Sequence, residues 1–132
     1  MTERKRVVII DDDRELLEEL KEALAGDCYE VHTLADSLAA INVVRELKPH
    51  LIVLDLKMPQ MTGFQLASEL KHTSELAHVP IVGMTGVFIE AEHALLMSMC
   101  GIRHCLKKPF SPSQAIEEIE KIMQAQQSIV ER

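Results

Sequence analysis

Short apolar runs alternate with amphipathic segments along almost the whole chain. Residues 7–10 and 51–54 are uninterrupted runs of Val, Ile and Leu, which are typical of strands buried on both faces of a sheet. Residues 29–34, 79–82 and 102–106 predict three more strands, and Pro80 lies near the start of its run, where a missing N–H costs least. Five strands that alternate with helices predict an α/β fold, a doubly wound five-stranded parallel sheet with helices on both faces.

Five helices are predicted between and after these strands. The first has apolar residues at helical spacing up to Leu24, with Gly26 as its stop, and the second runs from Asp36 until Pro49 closes it. A third is predicted to begin near Gly63, and a fourth covers residues 89–100. The spacing of Thr62 with Gln65, and of Ser111 with Pro112 and Gln114, marks the starts of the third and fifth helices; the fifth has an apolar stripe of Ile116, Ile119, Ile122 and Met123.

Length and composition predict one domain over residues 1–132, with a core of about residues 6–123 and a polar tail or linker remnant at 124–132. The chain has 132 residues, of which 47% are hydrophobic and 27% charged, so it is long enough to bury a core without a disulfide or metal. The net charge of −7 predicts neither direct nucleic-acid binding nor binding to an anionic membrane. Three irregularly spaced cysteines, Cys28, Cys100 and Cys105, and the lack of a signal peptide or apolar span predict reduced thiols and a cytoplasmic location.

Chemically active side chains follow four of the five predicted strands. Asp11 and Asp12 follow the first strand, Asp55 the third, Thr85 with Gly86 the fourth, and Lys108 the fifth. The carboxyl ends of parallel strands lie at one edge of the sheet, where ligands of such folds bind. The sequence therefore predicts a cluster of carboxylates, one hydroxyl and one ammonium at this edge.

Clustered carboxylates repel one another and favour a hard divalent cation, and Mg²⁺ suits oxygen ligands. With Mg²⁺ present, an aspartate can attack a phosphoryl group to form an aspartyl phosphate. Around such a group Thr85 offers a hydrogen bond and Lys108 a positive charge, while Gly86 lets the backbone approach closely.

Each residue also has an ordinary structural interpretation. Asp13 is predicted only to cap the first helix, and Lys107 only to face solvent. Asp55 alone, or the Thr85-Gly86 pair alone, would be an ordinary turn. A chemical role is favoured because all of these groups follow strand ends at one edge of the sheet. No metal-ligand spacing is found among the histidines, which are His32, His50, His72, His78, His93 and His104.

The pattern resembles the receiver domain of two-component response regulators, of which a CheY-like single-domain regulator is one form. The resemblance covers residues 6–123 and predicts the flavodoxin-like strand order 2-1-3-4-5. It rests on four segments in order: residues 9–12 (Ile-Ile-Asp-Asp), residues 54–59 (Leu-Asp-Leu-Lys-Met-Pro) with Gly63, residues 84–86 (Met-Thr-Gly) and residues 108–110 (Lys-Pro-Phe).

The resemblance implies a role for each residue. Asp55 would be the phosphoacceptor, with a histidine kinase or a histidine phosphotransfer protein as donor. Asp11 and Asp12 would be the acid pair at Mg²⁺, which would be bound directly by Asp12, Asp55 and the backbone carbonyl of Lys57. Thr85 would bind the phosphoryl group and shift on activation, and Lys108 would pair with it. The Lys108-Pro109 peptide would be cis.

Two positions are expected to modify this chemistry. Cys105 stands where the family usually has Tyr or Phe, so the coupling of Thr85 movement to an aromatic ring is in question, and a local groove is expected beside the smaller side chain. The Lys57 side chain, two residues after Asp55, either contacts the phosphoryl group or remains in solvent, and it is expected to influence how long the phosphate lasts.

Three functions are compatible with these observations. The first is Mg²⁺-dependent phosphorelay signalling, in which the chain is no enzyme beyond its own phosphorylation and dephosphorylation. Its output would be a contact with a downstream protein, through a face within residues 88–123 that includes Phe88, Met97 and Met99, or transfer of the phosphate onward. The second is a receiver-like interaction module without phosphorylation, for which Cys105 is the support. The third is a haloacid-dehalogenase-like phosphohydrolase, disfavoured because Glu15 stands where Thr or Val is needed.

Overall fold

Strands and helices alternate along the chain in the computed structural model, which describes residues 4–26, 28–57, 62–86 and 91–130, with the backbone alone at 91–94 and 126–130. Within these residues, the elements are β1 (Lys5–Ile10), α1 (Arg14–Leu24), β2 (Tyr29–Leu34), α2 (Ala40–Leu47), β3 (Leu51–Asp55), α3 (Gly63–His72), β4 (Ile81–Thr85), α4 (Ala91–Met99), β5 (Ile102–Lys107) and α5 (Pro112–Val130).

The strands form a parallel sheet in the order β2-β1-β3-β4-β5. This confirms both the predicted doubly wound fold and the predicted strand order. Strands β1 and β3 lie in the interior of the sheet, where Val7 pairs with Leu51 and Ile10 with Leu54. Because both faces of these strands are covered, they have the uninterrupted apolar runs seen in the sequence.

Alternate side chains of each strand enter two separate cores, one on each face of the sheet. One core joins the sheet to α1 and α5 and includes Val7, Ile9, Leu17, Val53, Met84 and Ile119. The other joins it to α2, α3 and the end of α4 and includes Val8, Ile10, Val44, Leu54, Leu66 and Cys100. The helices therefore hold the carboxyl ends of β1, β3 and β4 side by side from both faces.

Two helix starts agree with the sequence. Asp13 caps α1, its Oδ1 accepting hydrogen bonds from the backbone N–H groups of Glu15 (3.1 Å) and Leu16 (3.2 Å). Thr62 and Gln65 form both bonds of a capping box at α3. These caps satisfy N–H groups that have no partner within the helix, which confirms both predicted starts.

Two predicted boundaries are wrong. Helix α2 begins at Ala40 rather than at Asp36, because the Asp36 carboxylate accepts a bond from the Leu38 N–H (2.9 Å) and turns the chain before the helix. Strand β4 begins at Ile81 rather than at Val79, because the Val79 N–H bonds to the Leu76 carbonyl (3.0 Å) in the preceding turn.

Residues 89 and 90 of the predicted fourth helix lie outside the described residues. Helix α5 runs through residues 124–130, where the sequence predicts a polar tail or linker remnant. Within the part of the chain that the structure describes, no helix combines the length and apolar character needed to cross a membrane.

Gly63 is the point where α3 passes over the end of β3. A Cβ at this position would collide with the Asp55 carbonyl oxygen and the Leu56 Cα, which are backbone atoms that cannot rotate away. The Gly63 N–H also donates to the Leu56 carbonyl (3.2 Å). Gly63 therefore allows α3 to pack directly against the backbone that presents Asp55.

We expect Gly63→Ala to destabilise the protein by about 1–3 kcal/mol, the usual cost of forcing an extra methyl group into a packed region. Gly26→Ala is the matched control, because a Cβ at Gly26 has no neighbour within 4 Å. Urea denaturation of both variants measures the difference. An equal stability of Gly63→Ala and Gly26→Ala would show that α3 does not need this close approach.

Candidate functional site

Three polar side chains are buried at the carboxyl ends of three neighbouring strands. Asp11 follows β1 and is fully buried, while Asp55 at the end of β3 and Thr85 at the end of β4 are 5% and 4% exposed. Asp12, beside them, is exposed. The sheet thus assembles residues far apart in sequence into one cluster that is buried on one side and open to solvent at Asp12.

Lys108 supplies the positive charge of this cluster. Its Nζ lies 2.7 Å from Asp11 Oδ2 and 3.7 Å from Asp55 Oδ2. Its backbone N–H donates to the Thr85 carbonyl (2.7 Å), which ties the segment after β5 to the end of β4. The Lys108-Pro109 peptide is cis, as expected from the sequence.

Backbone N–H groups bind the other oxygen of each buried carboxylate. The Asp13 N–H donates to Asp11 Oδ1 (2.9 Å), and the Lys57 N–H donates to Asp55 Oδ1 (3.1 Å). Each buried carboxylate therefore has one oxygen held by the backbone and one directed to Lys108. This arrangement orients both groups without a further side chain.

Burial raises the pKa of Asp55 to about 6, and the nearby Asp11 charge adds to the effect. The Lys57 N–H and the Lys108 ammonium oppose it, because both favour the ionised carboxylate. For Lys108, burial acts to lower the pKa, but the hydrogen bond and charge of Asp11, with the charge of Asp55, raise it overall. Asp55 is therefore a carboxylate at neutral pH, with a charge that is incompletely neutralised.

Asp11, Asp12 and Asp55 offer oxygen atoms that all lie within 4.8 Å of one another. A set of hard oxygen ligands with one side open to water fits Mg²⁺, which keeps several water molecules when it binds to proteins. The cluster has three carboxylates and one ammonium, so a divalent cation would also offset its excess negative charge.

The structure brings together most residues that the sequence singled out. Lys57 is exposed beside Asp55, and Asp13 caps α1 as predicted, while Lys107 is exposed. Packing within the protein does not require glycine at position 86, since a Cβ there would contact only Lys108 Cβ, at an ordinary distance of 3.8 Å. Its role toward a phosphoryl group stays a prediction, as do the Lys57 carbonyl and Thr85 roles.

Cys105 lies away from the carboxylate cluster. It pairs with Gly83 in the sheet, is half-buried against the core on the α4 side, and burial raises the pKa of its thiol. A thiol at this edge strand is a small apolar group rather than a ring that could swing between two positions. Met58, Pro59 and Phe88, which the sequence analysis also named, lie outside the described residues.

The joining of the loops of the site was not predicted from the sequence. The Leu56 N–H donates to the Met84 carbonyl (2.9 Å), so the residue after Asp55 continues the pairing between β3 and β4. Gly83 opposite leaves room for the Leu56 side chain, with a would-be Cβ 3.0 Å from it. The one sequence signal for this packing is the glycine at position 83. A single glycine in a strand does not identify the side chain that packs against it.

Comparison with known proteins agrees with this geometry. The pattern of the response regulator receiver domain matches residues 7–120. The DNA-binding response regulator MtrA of Mycobacterium tuberculosis is 32% identical over 118 residues, which are 89% of this chain and 50% of that protein. The polar-differentiation response regulator DivK of Brucella anthropi is 25% identical over 119 residues, covering 90% of this chain and 96% of that protein.

Solved structures show the same fold. The chemotaxis protein CheY4 of Vibrio cholerae superimposes with a TM-score of 0.84 at 25% identity, covering 90% of this chain and 98% of that one. The chain spans about half the length of the MtrA relatives that it matches. With the matched pattern extending from β1 into α5 and through the whole site, the chain belongs to the response regulator receiver domain family, which works in phosphorelay signalling.

Proposed function

We propose that Asp55 accepts a phosphoryl group from a phosphohistidine of a histidine kinase or a phosphotransfer protein, in a reaction that requires Mg²⁺. The observation that carries this proposal is the placement of the Lys108 ammonium against both buried carboxylates, Asp11 at 2.7 Å and Asp55 at 3.7 Å. Receiver domains as a family act with histidine kinases and downstream targets. The particular donor and target are part of the proposal.

In the transfer, a carboxylate oxygen of Asp55 forms a bond to phosphorus while the phosphorus–nitrogen bond of the donor breaks. The donor ring leaves with the electron pair of that bond, and it leaves as neutral imidazole because its other nitrogen already carries a proton. The Lys57 N–H holds Asp55 Oδ1 (3.1 Å), so the nucleophile approaches in a fixed orientation. Because Asp55 has a pKa of about 6, it is ionised and available for attack at neutral pH.

The remaining groups would neutralise the charge of the phosphoryl oxygens. Asp12, Asp55 and the Lys57 carbonyl would hold Mg²⁺ with Asp11 beside them, and the cation would reduce repulsion between the carboxylates and the incoming phosphate. Lys108 can exchange its contact with Asp55 for one with a phosphoryl oxygen while it keeps Asp11. Thr85 at the end of β4 would hydrogen-bond another oxygen. The chain would thus act on itself rather than turn over a substrate.

The output of this switch is proposed to be a protein contact or onward transfer of the phosphate. Within the described residues, α4 exposes three large apolar side chains, Leu95 (64%), Leu96 (40%) and Met99 (67%). These side chains are neighbours on one helix and belong to the face within residues 88–123 that the sequence predicts for a partner. Adjacent exposed apolar side chains are a feature of interaction surfaces. Nothing in the site favours the phosphohydrolase or the unphosphorylated module, and a cytoplasmic location stays a prediction.

Incubation with acetyl phosphate and Mg²⁺ should add one phosphoryl group to the protein, detected as a mass increase of the intact chain. The adduct should be absent in Asp55→Asn and with EDTA in place of Mg²⁺. Asp36→Asn is the matched control, because it makes the same change at an exposed turn that is not part of the carboxylate cluster, and it should leave the adduct intact. An adduct on Asp55→Asn would refute the assignment of the phosphoacceptor. If wild type has no adduct, failure to bind beryllium fluoride would overturn the proposal itself.

In Mg²⁺-free buffer, Asp55→Asn should be more stable than wild type at pH 7, by about 1–3 kcal/mol. The folded Asp55 has a pKa of about 6, above its ordinary value of 3.8, so the folded state binds the proton more tightly than the unfolded chain. Wild-type stability should therefore fall as pH rises from about 4 to 6, and the advantage of the variant should grow over that range. Urea denaturation at pH 4.5, 6 and 7.5 gives the difference, and a difference independent of pH would contradict the raised pKa.

Lys57→Asn should change the lifetime of the aspartyl phosphate by about twofold or more, because the resemblance to receiver domains implies that this exposed side chain lies near the path of the water that hydrolyses the phosphate. The Lys57 contact to Asp55 is made by its backbone N–H, so the substitution should preserve the site and the fold. The decay of the phosphorylated chain, followed by gel mobility after removal of the donor, measures this effect. The same half-life in both proteins, with equal melting temperatures, would show that the Lys57 side chain remains in solvent.

A further inference from the structure

A second concave site lies at the end of the sheet opposite to the carboxylate cluster. It is a cavity of about 400 Å³ between the end of α3, the turn before β4, the start of β5 and residues Ile122 and Ala125 of α5. Its volume is within the range of small-molecule sites in proteins. Nothing in the proposed phosphoryl transfer uses this cavity.

The inner wall of the cavity is apolar and buried. Leu76, Ile81 and Ile122 line it and are 3%, 5% and 5% exposed. Cys100 lines it as well and is 8% exposed. These side chains belong to the two cores of the sheet, so the wall is held by the same packing that holds the fold.

The rim of the cavity has basic side chains from three separate segments. Lys71 comes from α3, His78 from the turn before β4, and Arg103 and His104 from β5. No aspartate or glutamate is among the described residues that line the cavity, and none of these four side chains is ion-paired within the part of the chain that the structure describes. Although the chain has a net charge of −7, Lys71 and Arg103 give the lining of this cavity a positive charge.

An irregularity of β5 explains why two of these residues lie together at the rim. Ile81 pairs with Ile102 but Val82 pairs with His104, so Arg103 is the extra residue of a β-bulge. The usual alternation is broken there, and Arg103 and His104 are both exposed although they are adjacent. Bulges of this kind redirect side chains, and this one directs two nitrogen donors to the same cavity.

Lys71 is held at the rim by the backbone. Its Nζ donates to the Met99 carbonyl (3.3 Å) at the end of α4, and its chain crosses Gly101, which has a φ of +77°. A Cβ at Gly101 would lie 3.4 Å from Lys71 Cδ. The ammonium is therefore positioned before any ligand binds, and it retains two N–H donors.

We propose that this cavity binds a small organic anion, a phosphate or carboxylate head attached to a compact apolar group. The guanidinium of Arg103 and the ammonium of Lys71 would bind the head, with hydrogen bonds from the imidazoles of His78 and His104. The apolar group would pack against Ala77 and Pro80 and the small exposed parts of Leu76, Ile81 and Ile122. The proposal is independent of phosphorylation at Asp55, because the two sites lie at opposite ends of the strands.

The test is a titration of the ¹⁵N-labelled full chain, followed by amide chemical shifts. Protein and buffer are cleared of metal with a chelating resin, so that no metal occupies the carboxylate cluster and no soluble chelator competes for the cavity. Four probes separate the contributions: phenyl phosphate and benzoate carry both parts, inorganic phosphate carries only the head, and phenol carries only the ring. We expect saturable shifts at Cys100, Arg103 and His104 with phenyl phosphate or benzoate, and binding about fivefold or more tighter than with either single part. Which of the two binds more tightly identifies the head group.

Three variants make the result specific. Arg103→Gln should weaken binding about tenfold, whereas Arg45→Gln, which removes an equal charge from an exposed site outside the cavity, should have little effect. Ala125→Phe adds bulk at the exposed mouth without removing a charge, and it should abolish binding.

Several outcomes would overturn the proposal. One is that the shifts are confined to Lys57 and Thr85. Others are equal binding of phenol and phenyl phosphate, and equal effects of the two arginine variants. The last is a shift at Cys100, Arg103 and His104 that is absent, or linear without curvature, up to about 10 mM phenyl phosphate and benzoate.

Discussion

The burial of Asp11 and Asp55 is the constraint on which the rest of this molecule depends. Two carboxylates at the end of an apolar sheet are costly to ionise. The Lys108 ammonium, together with one backbone N–H for each carboxylate, offsets part of this cost. Lys108 is much closer to Asp11 than to Asp55. Asp55 therefore keeps a raised pKa and a partly uncompensated charge. In the proposed function, a cation would offset this charge and the carboxylate would be the group that accepts the phosphoryl group.

That constraint explains why the loops beyond the strands are tied so closely. The Lys108 N–H bonds to the Thr85 carbonyl, and the Leu56 N–H bonds to the Met84 carbonyl, so three strand ends form one continuous frame. Gly63 lets α3 pack against the backbone of Asp55 and closes the frame from another side. Because the frame consists of backbone hydrogen bonds, we expect a change in charge at Asp55 to move the side chains of Thr85 and Lys108 before it moves the sheet.

The two ends of the sheet have opposite electrostatic character. The carboxyl end collects Asp11, Asp12 and Asp55, whereas the cavity at the other end collects Lys71, His78, Arg103 and His104. The overall charge of −7 conceals this division. A cation would be drawn to one end and an anion to the other, so one small domain has room for two ligands that do not compete.

The sequence by itself determined the fold and the composition of the carboxylate site, because buried parallel strands are recognisable as apolar runs and their carboxyl ends must meet at one edge. It also determined the caps at Asp13 and Thr62, which depend on neighbours within three residues. The start of α2 was mistaken, because the local turn at Asp36 competes with helical periodicity, and the start of β4 was mistaken because Val79 belongs to a preceding turn. Only the tertiary structure decided the unequal distances from Lys108 to the two carboxylates, the need for Gly63 and the basic cavity. Each of these depends on atoms from segments far apart in sequence, and the bulge at Arg103 shifts the register of β5 in a way that no local pattern encodes.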